Sequence, residues 1–167
     1  GIPVEPSQED SVVPLGVRCY VGGSVASSIH GVPRASIDAD VVAELRPDHV
    51  APLAARLRPS FYLDESRMRN AVERRRSFNL IHLGTMFKVD VFVSKGRPFD
   101  REALTRARLE ALGDAPDAPR APIASPEDTL LAKLEWFRLG GESSERQWGD
   151  IVGLLRARVQ QLDHGHL

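Results

Sequence analysis

The stretch Cys19-Tyr20-Val21-Gly22-Gly23-Ser24-Val25-Ala26-Ser27-Ser28-Ile29-His30-Gly31-Val32-Pro33-Arg34-Ala35-Ser36-Ile37-Asp38-Ala39-Asp40-Val41-Val42-Ala43-Glu44 decides how the rest of the chain is read. The residues from Gly16 to Val21 lean toward an apolar strand that stops at Gly22-Gly23. Ser24 is a good N-cap for a short helix to about His30, and Gly31 and Pro33 end it. Ile37 to Val42 then reads as a second strand. Side chains two apart in a strand share a face, with Cα atoms about 6.5 to 7 Å apart. Asp38 and Asp40 therefore point one way, and Ala39 points into the packing on the other.

Working outward, Val50, Leu53, Ala54 and Leu57 fall at helical spacing between Pro47 and Pro59. Asp64 to Arg76 reads as a second helix, acidic at its start and basic at its end as the helix dipole favours. Ser77 to His82 and Thr85 to Val93 read as strands of a hairpin joined at Leu83-Gly84. The second is a near-continuous apolar run interrupted by one acid, Asp90, and a buried carboxylate costs several kcal/mol unless it is paired or binds metal. Asp100 is expected to cap a helix reaching about Leu112, followed by a Pro, Ala and Asp-rich linker from Gly113 to Ala124. Ser125-Pro126-Glu127-Asp128 is a strong helix start, with Leu130, Leu131, Leu134 and Phe137 as its apolar face up to Gly140-Gly141. A last helix opens at Ser144 and carries Trp148, Ile151, Val152 and Leu155.

At 167 residues, with 42% hydrophobic and 27% charged residues, the chain is expected to form one domain over residues 1–167. A core at about 15–95 and a helical C-terminal portion at about 99–160 divide it. Residues 1 to about 13 show no periodicity and read as a lead-in. No apolar run approaches the ~20 residues of a membrane span, and Gly1 to Pro6 has neither a basic start nor an apolar core. A soluble, cytoplasmic protein with no membrane partner is the expectation. The single Cys19 excludes an internal disulfide and reads as a small buried hydrophobe rather than a catalytic thiol. A net charge of -1 argues against a protein built mainly to coat nucleic acid. A local patch of Arg67, Arg69, Arg74, Arg75 and Arg76 would suit polyphosphate or RNA, although arginines on helices usually face water.

Asp38 and Asp40 can share a divalent ion, and Asp90 from another strand would complete a set of oxygen ligands suited to magnesium. Carboxylates at about 5 Å repel by about 3 kcal/mol at an effective dielectric of 20, which favours a cation between them over a bare cluster. Gly22, Gly23 and Ser24 let a phosphate approach the backbone and offer it N–H groups and a hydroxyl. Each signal alone is weak, since Gly-Gly-Ser is often a plain turn and Asp-x-Asp on a surface strand is usually solvated. His30, His49 and His82 show no ligand spacing, and Asp163-His164-Gly165-His166 lies in the tail. Ser24 lacks the Gly-x-Ser-x-Gly elbow of a hydrolase nucleophile, and Trp136 and Trp148 fit core or helix packing better than base stacking.

Gly22-Gly23-Ser24, the spacer Val25 to Ile37, Asp38-Ala39-Asp40-Val41 and the later Val89-Asp90-Val91 together resemble the polymerase-beta-like nucleotidyltransferase superfamily. Arg34 and Ser36 resemble the basic-then-hydroxyl lead-in of its minimal bacterial members. The resemblance implies an α+β nucleotidyltransferase fold: a small mixed β-sheet with flanking helices and a helical C-terminal portion. It also implies transfer of a nucleoside monophosphate from an NTP to an acceptor hydroxyl with two Mg2+ ions. Asp38 and Asp40 would hold both ions, Asp90 one, and Gly23 and Ser24 would seat the phosphates. The Pro-Glu-Asp start, Lys133, and Arg146 with Asp150 resemble the abortive-infection type IV toxin group, which implies that Lys133 and Asp150 assist the nucleotide site. The match departs from that group in size, because the 167 residues do not span the long C-terminal helical region of the full toxins. The acceptor stays open among a small molecule, an RNA end and a protein hydroxyl. Alternatives are a catalytically silent nucleotide-binding regulator of a two-gene module, with a partner protein from a neighbouring gene, and a metal-dependent phosphohydrolase or nuclease.

Overall fold

Strands β2 (Asp38–Ala43) and β5 (Lys88–Val93) lie side by side, parallel, at the centre of a seven-stranded mixed sheet of order β3-β4-β5-β2-β1-β7-β6. The computed structural model describes residues 14–31, 38–158, 160–163 and 165. Around the central pair stand β1 (Cys19–Val21), β3 (Phe61–Tyr62), β4 (Ser77–His82), β6 (Arg108–Ala111) and β7 (Arg120–Ile123). The β1–β7 pair is also parallel, and the remaining neighbours run antiparallel. Helices α1 (Gly23–Ile29), α2 (Pro47–Leu57), α3 (Glu65–Glu73), α4 (Pro98–Arg106), α5 (Pro126–Leu139) and α6 (Glu145–Arg158) flank it. This is the expected α+β architecture with a helical C-terminal portion. Among the described residues, no helix is long and apolar enough to cross a membrane.

The period of two along each strand sorts the sheet into two faces. Ala43, Phe78, Leu80, Val91 and Val93 pack with Val50 and Ala54 of α2 and with Met68, Ala71 and Val72 of α3. On the opposite face, Tyr20 and Val42 pack with Ala103 and Leu104 of α4. Trp136 of α5 stacks near Phe92 with ring centroids 6.0 Å apart. The two tryptophans are half-exposed and do helix packing, Trp148 lying 5.5 Å from Phe137, rather than core filling. Cys19 packs beside the larger core, and burial pushes its thiol up to about 11, which favours the protonated thiol at neutral pH.

The fold differs from expectation in three places. The segment Gly113 to Ala124 is not all linker, because Ala121 and Ile123 are buried and β7 is inserted between β1 and β6. Its four residues include Pro122, which masks the strand pattern. The helix expected from Asp100 to Leu112 starts at Pro98 and ends at Arg106, and Arg108–Ala111 becomes the sheet-edge strand β6. Asp100 is the third helical residue, and its Oδ2 accepts from the Arg97 backbone N–H at 3.0 Å. Third, the two-residue β3 was not legible at all. The Leu83-Gly84 hairpin is present, closed by the His82 N–H donating to the Phe87 carbonyl at 2.8 Å.

One ion pair ties α4 to α5. The Arg106 guanidinium donates to both Asp128 oxygens at 2.9 and 2.7 Å, and the Ser125 hydroxyl donates to Asp128 Oδ2 at 2.8 Å. Asp128 is buried, so removing the guanidinium takes away the charged partner that offsets its desolvation. Arg106→Met is expected to lower the unfolding free energy by about 3 kcal/mol in denaturant titration, and Arg106→Met/Asp128→Asn by clearly less.

Candidate active site

The parallel register sets Asp40 opposite Asp90 and Asp38 opposite Lys88. All four side chains therefore project from the same face of the two central strands. The third acid thus stands beside the first two. Gly23 approaches from the end of β1: a Cβ at this position would overlap the Asp40 carboxylate, meeting its Cγ at 2.8 Å, and φ is +57°. Both facts call for glycine. The neighbouring Gly22 N–H donates to the Asp40 carbonyl at 2.8 Å, which fixes the glycine turn against β2. Gly22, rather than Ser24, is the N-cap, and Ser24 lies within the first turn of α1.

Electrostatics single out Asp40. Burial raises its pKa first, and the negative charges of Asp38 and Asp90 add to the rise, while Lys133 and Lys88 oppose it. Lys133 reaches this neighbourhood from α5 and donates to Asp150 of α6 at 2.9 Å, with side-chain exposures of only 12% and 9%. The two secondary candidates are thus brought together, and Lys133 lies within electrostatic reach of the acids. Arg34 and Ser36 lie outside the described residues.

The Lys88 ammonium escaped the sequence reading. Its Nζ contacts Asp90 Oδ2 at 2.8 Å, with side-chain exposures of 43% and 24%. That hydrogen bond raises the Lys88 pKa, and the charges of Asp90, Asp38 and Asp40 add to it, so the cluster has a cation of its own. The signal available was a lysine two residues before Asp90, which period two puts on the same face.

Asp90 also borders a cavity of about 580 Å³ between β4 and α3. Arg67, Asn70, Arg76, Asn79 and the exposed Tyr62 line it. Two members of the arginine patch therefore face this cavity, while Arg69 pairs with Glu65 at 3.2 Å and Arg75 donates to the Ser94 carbonyl at 3.0 Å. A larger cavity of about 860 Å³ lies against the apolar side of the sheet, lined by Val21, Val41 and Val89 among others. The three acids project from the other face of the sheet.

Of the histidines, His30 is buried with Nε2 2.6 Å from the Ala124 carbonyl, and burial lowers its pKa. His49 Nδ1 accepts from the Arg46 N–H at 3.1 Å, and His82 Nδ1 lies 2.9 Å from the Thr85 hydroxyl. These are structural roles.

Three carboxylates on one face are an oxygen-only donor set that fits a hard divalent cation. As placed, no group of three His, Cys, Asp or Glu side chains among the described residues converges tightly enough to hold one. The ammonium on Asp90 stands where a cation would compensate the charge.

No protein-family model matches the chain. No curated protein matches it either. Among solved structures, the chain is similar to the lincosamide antibiotic adenylyltransferase LnuA in its lincomycin-bound crystal structure. The identity is 15%, the TM-score 0.46, and the match covers 83% of this chain and 85% of that one. The reading of the site rests on its own geometry.

The raised Asp40 pKa fixes the sign of a pH effect. A carboxyl whose folded pKa exceeds its unfolded value binds its proton more tightly when folded, so stability falls as pH rises through that window. Without added metal, Asp40→Asn is expected to raise the melting temperature at pH 7. The gain should shrink as pH falls to the ordinary carboxylate range, as thermal melts across pH would show.

Proposed function

We propose that the chain is a nucleotidyltransferase that moves a nucleoside monophosphate from an NTP to an acceptor hydroxyl. The observation that carries this reading is the register that sets Asp40 beside Asp90, with Asp38 on the same face and Gly23 against Asp40. Asp38, Asp40 and Asp90 would hold Mg2+, two ions with the nucleotide bound, which neutralise the phosphates and draw charge from the leaving group. In the reaction the acceptor oxygen bonds to the α-phosphorus, the bridge to the β-phosphorus breaks, and pyrophosphate leaves.

The chain's own groups then divide the work. Asp90, at the rim of the polar cavity, takes the hydroxyl proton on its carboxylate as the acceptor attacks. Gly22, Gly23 and Ser24, together with Arg34 and Ser36, receive the triphosphate. Lys133, held by Asp150, keeps a positive charge near Asp40 and the phosphates. The acceptor lies over β4 and α3, where Arg67, Arg76, Asn70 and Asn79 offer hydrogen bonds to a polar molecule rather than to a greasy one.

A second reading is a nucleotide-binding protein without transfer activity. The feature that favours it is the Lys88–Asp90 pair, which engages the acid needed as base. Incubation of each α-labelled NTP and Mg2+ with tRNA, total protein and small metabolites separates the two. Transfer is expected to one acceptor class, lowered at least 100-fold by Asp90→Asn while NTP binding by calorimetry persists. NTP binding with no labelled product would select the silent reading, and no NTP binding would reject both.

A further inference from the structure

Two lysines serve the acid cluster, and they are held differently. Lys133 is nearly buried and pinned to Asp150 from a neighbouring helix. Lys88 is 43% exposed on a flexible stem, rises from the same strand as Asp90, and sits across from Asp38. Its Nζ touches Asp90 Oδ2 at 2.8 Å, an oxygen that a divalent cation would also need.

We infer that Lys88 is a resident counter-cation that competes with the divalent ion for Asp90, so that loading the site requires the ammonium to swing away from the carboxylate. The inference rests on the metal-binding reading of the three aspartates and adds a regulation to it. Without metal, the ammonium offsets the repulsion among carboxylates that share one sheet face. With metal, the same positive charge opposes the ion. Displaced, the four-carbon stem keeps the ammonium on the acid face, within reach of an anionic ligand brought there by the metal. Metal binding in the absence of nucleotide is therefore weak by construction, and an arriving polyphosphate favours it by giving Lys88 a new partner.

The test is Mn2+ binding without nucleotide, followed by the free-ion electron paramagnetic resonance signal and by calorimetry. Lys88→Met is expected to bind Mn2+ about tenfold more tightly than the wild type, since one competing positive charge is gone. Lys88→Arg keeps the charge and should stay at or below the wild-type affinity. In an Asp90→Asn background, Lys88→Met should change the affinity less than twofold, because the contested oxygen no longer carries the charge. Circular dichroism confirms that each variant is folded; Lys88 is too exposed for its loss to open the core. Equal or weaker Mn2+ binding by Lys88→Met, or Lys88→Arg binding as tightly as Lys88→Met, would overturn the competition while leaving the metal site standing. Failure of every form to bind Mn2+ both without nucleotide and with an added non-hydrolysable NTP would overturn the metal reading and this inference together.

Discussion

The parallel pairing of β2 with β5 fixes almost everything else. Both strands carry acids at even positions and aliphatic residues at odd ones, so a single register decides two faces at once. With Asp40 opposite Asp90, the residues Ala43, Val91 and Val93 join the core against α2 and α3. A slip of one residue would put the carboxylates into that core and the valines into water, and several kcal/mol per buried charge forbids it. The apolar face thus holds the acids together against their own repulsion. Core formation and site formation are one event.

That arrangement leaves a charge problem, which the surrounding helices and the sheet share. The pKa of Asp40 is raised by burial and by the charges of both neighbours. Gly23 presses against it, leaving its carboxylate little room to retreat. Lys133 answers from one side, and its bond to Asp150 also ties α5 to α6. The C-terminal helices are therefore more than packing. The electrostatic demand of the acids gives a reason for a nearly buried lysine in α5, where a lone ammonium would be costly.

Much of this was legible because it follows short-range rules. Asp38 and Asp40 sharing a face, the Leu83-Gly84 hairpin and the Ser125 cap need only local periodicity and turn chemistry. The proximity of Asp90 to them was not local, since no pattern in β5 announces its neighbour or its direction. The strands β6 and β7 failed for a related reason. Each has four residues, one is interrupted by Pro122, and their stability comes from pairing with each other and with β1. A tertiary partner made strands of residues whose composition reads as linker. Ser24 shows the opposite error: a good capping residue in isolation lost that place to Gly22, because the backbone had to pass beside Asp40.

Lys88 was overlooked because a lysine in a short strand near a hairpin end is commonplace. Its meaning comes entirely from the register, which sets it across from Asp38 and on the face of Asp90. Position also separates it from Lys133. A lysine fixed between a buried aspartate and the acids is part of the frame, since removing it would take a charged partner from a buried carboxylate. A lysine on the rim, with water as its alternative partner, gives up its carboxylate at little cost, because an exposed ion pair contributes about 1 kcal/mol or less. The same two side chains thus divide what a cation must do beside crowded acids: one charge stays to keep the cluster assembled, and the other is free to yield its place.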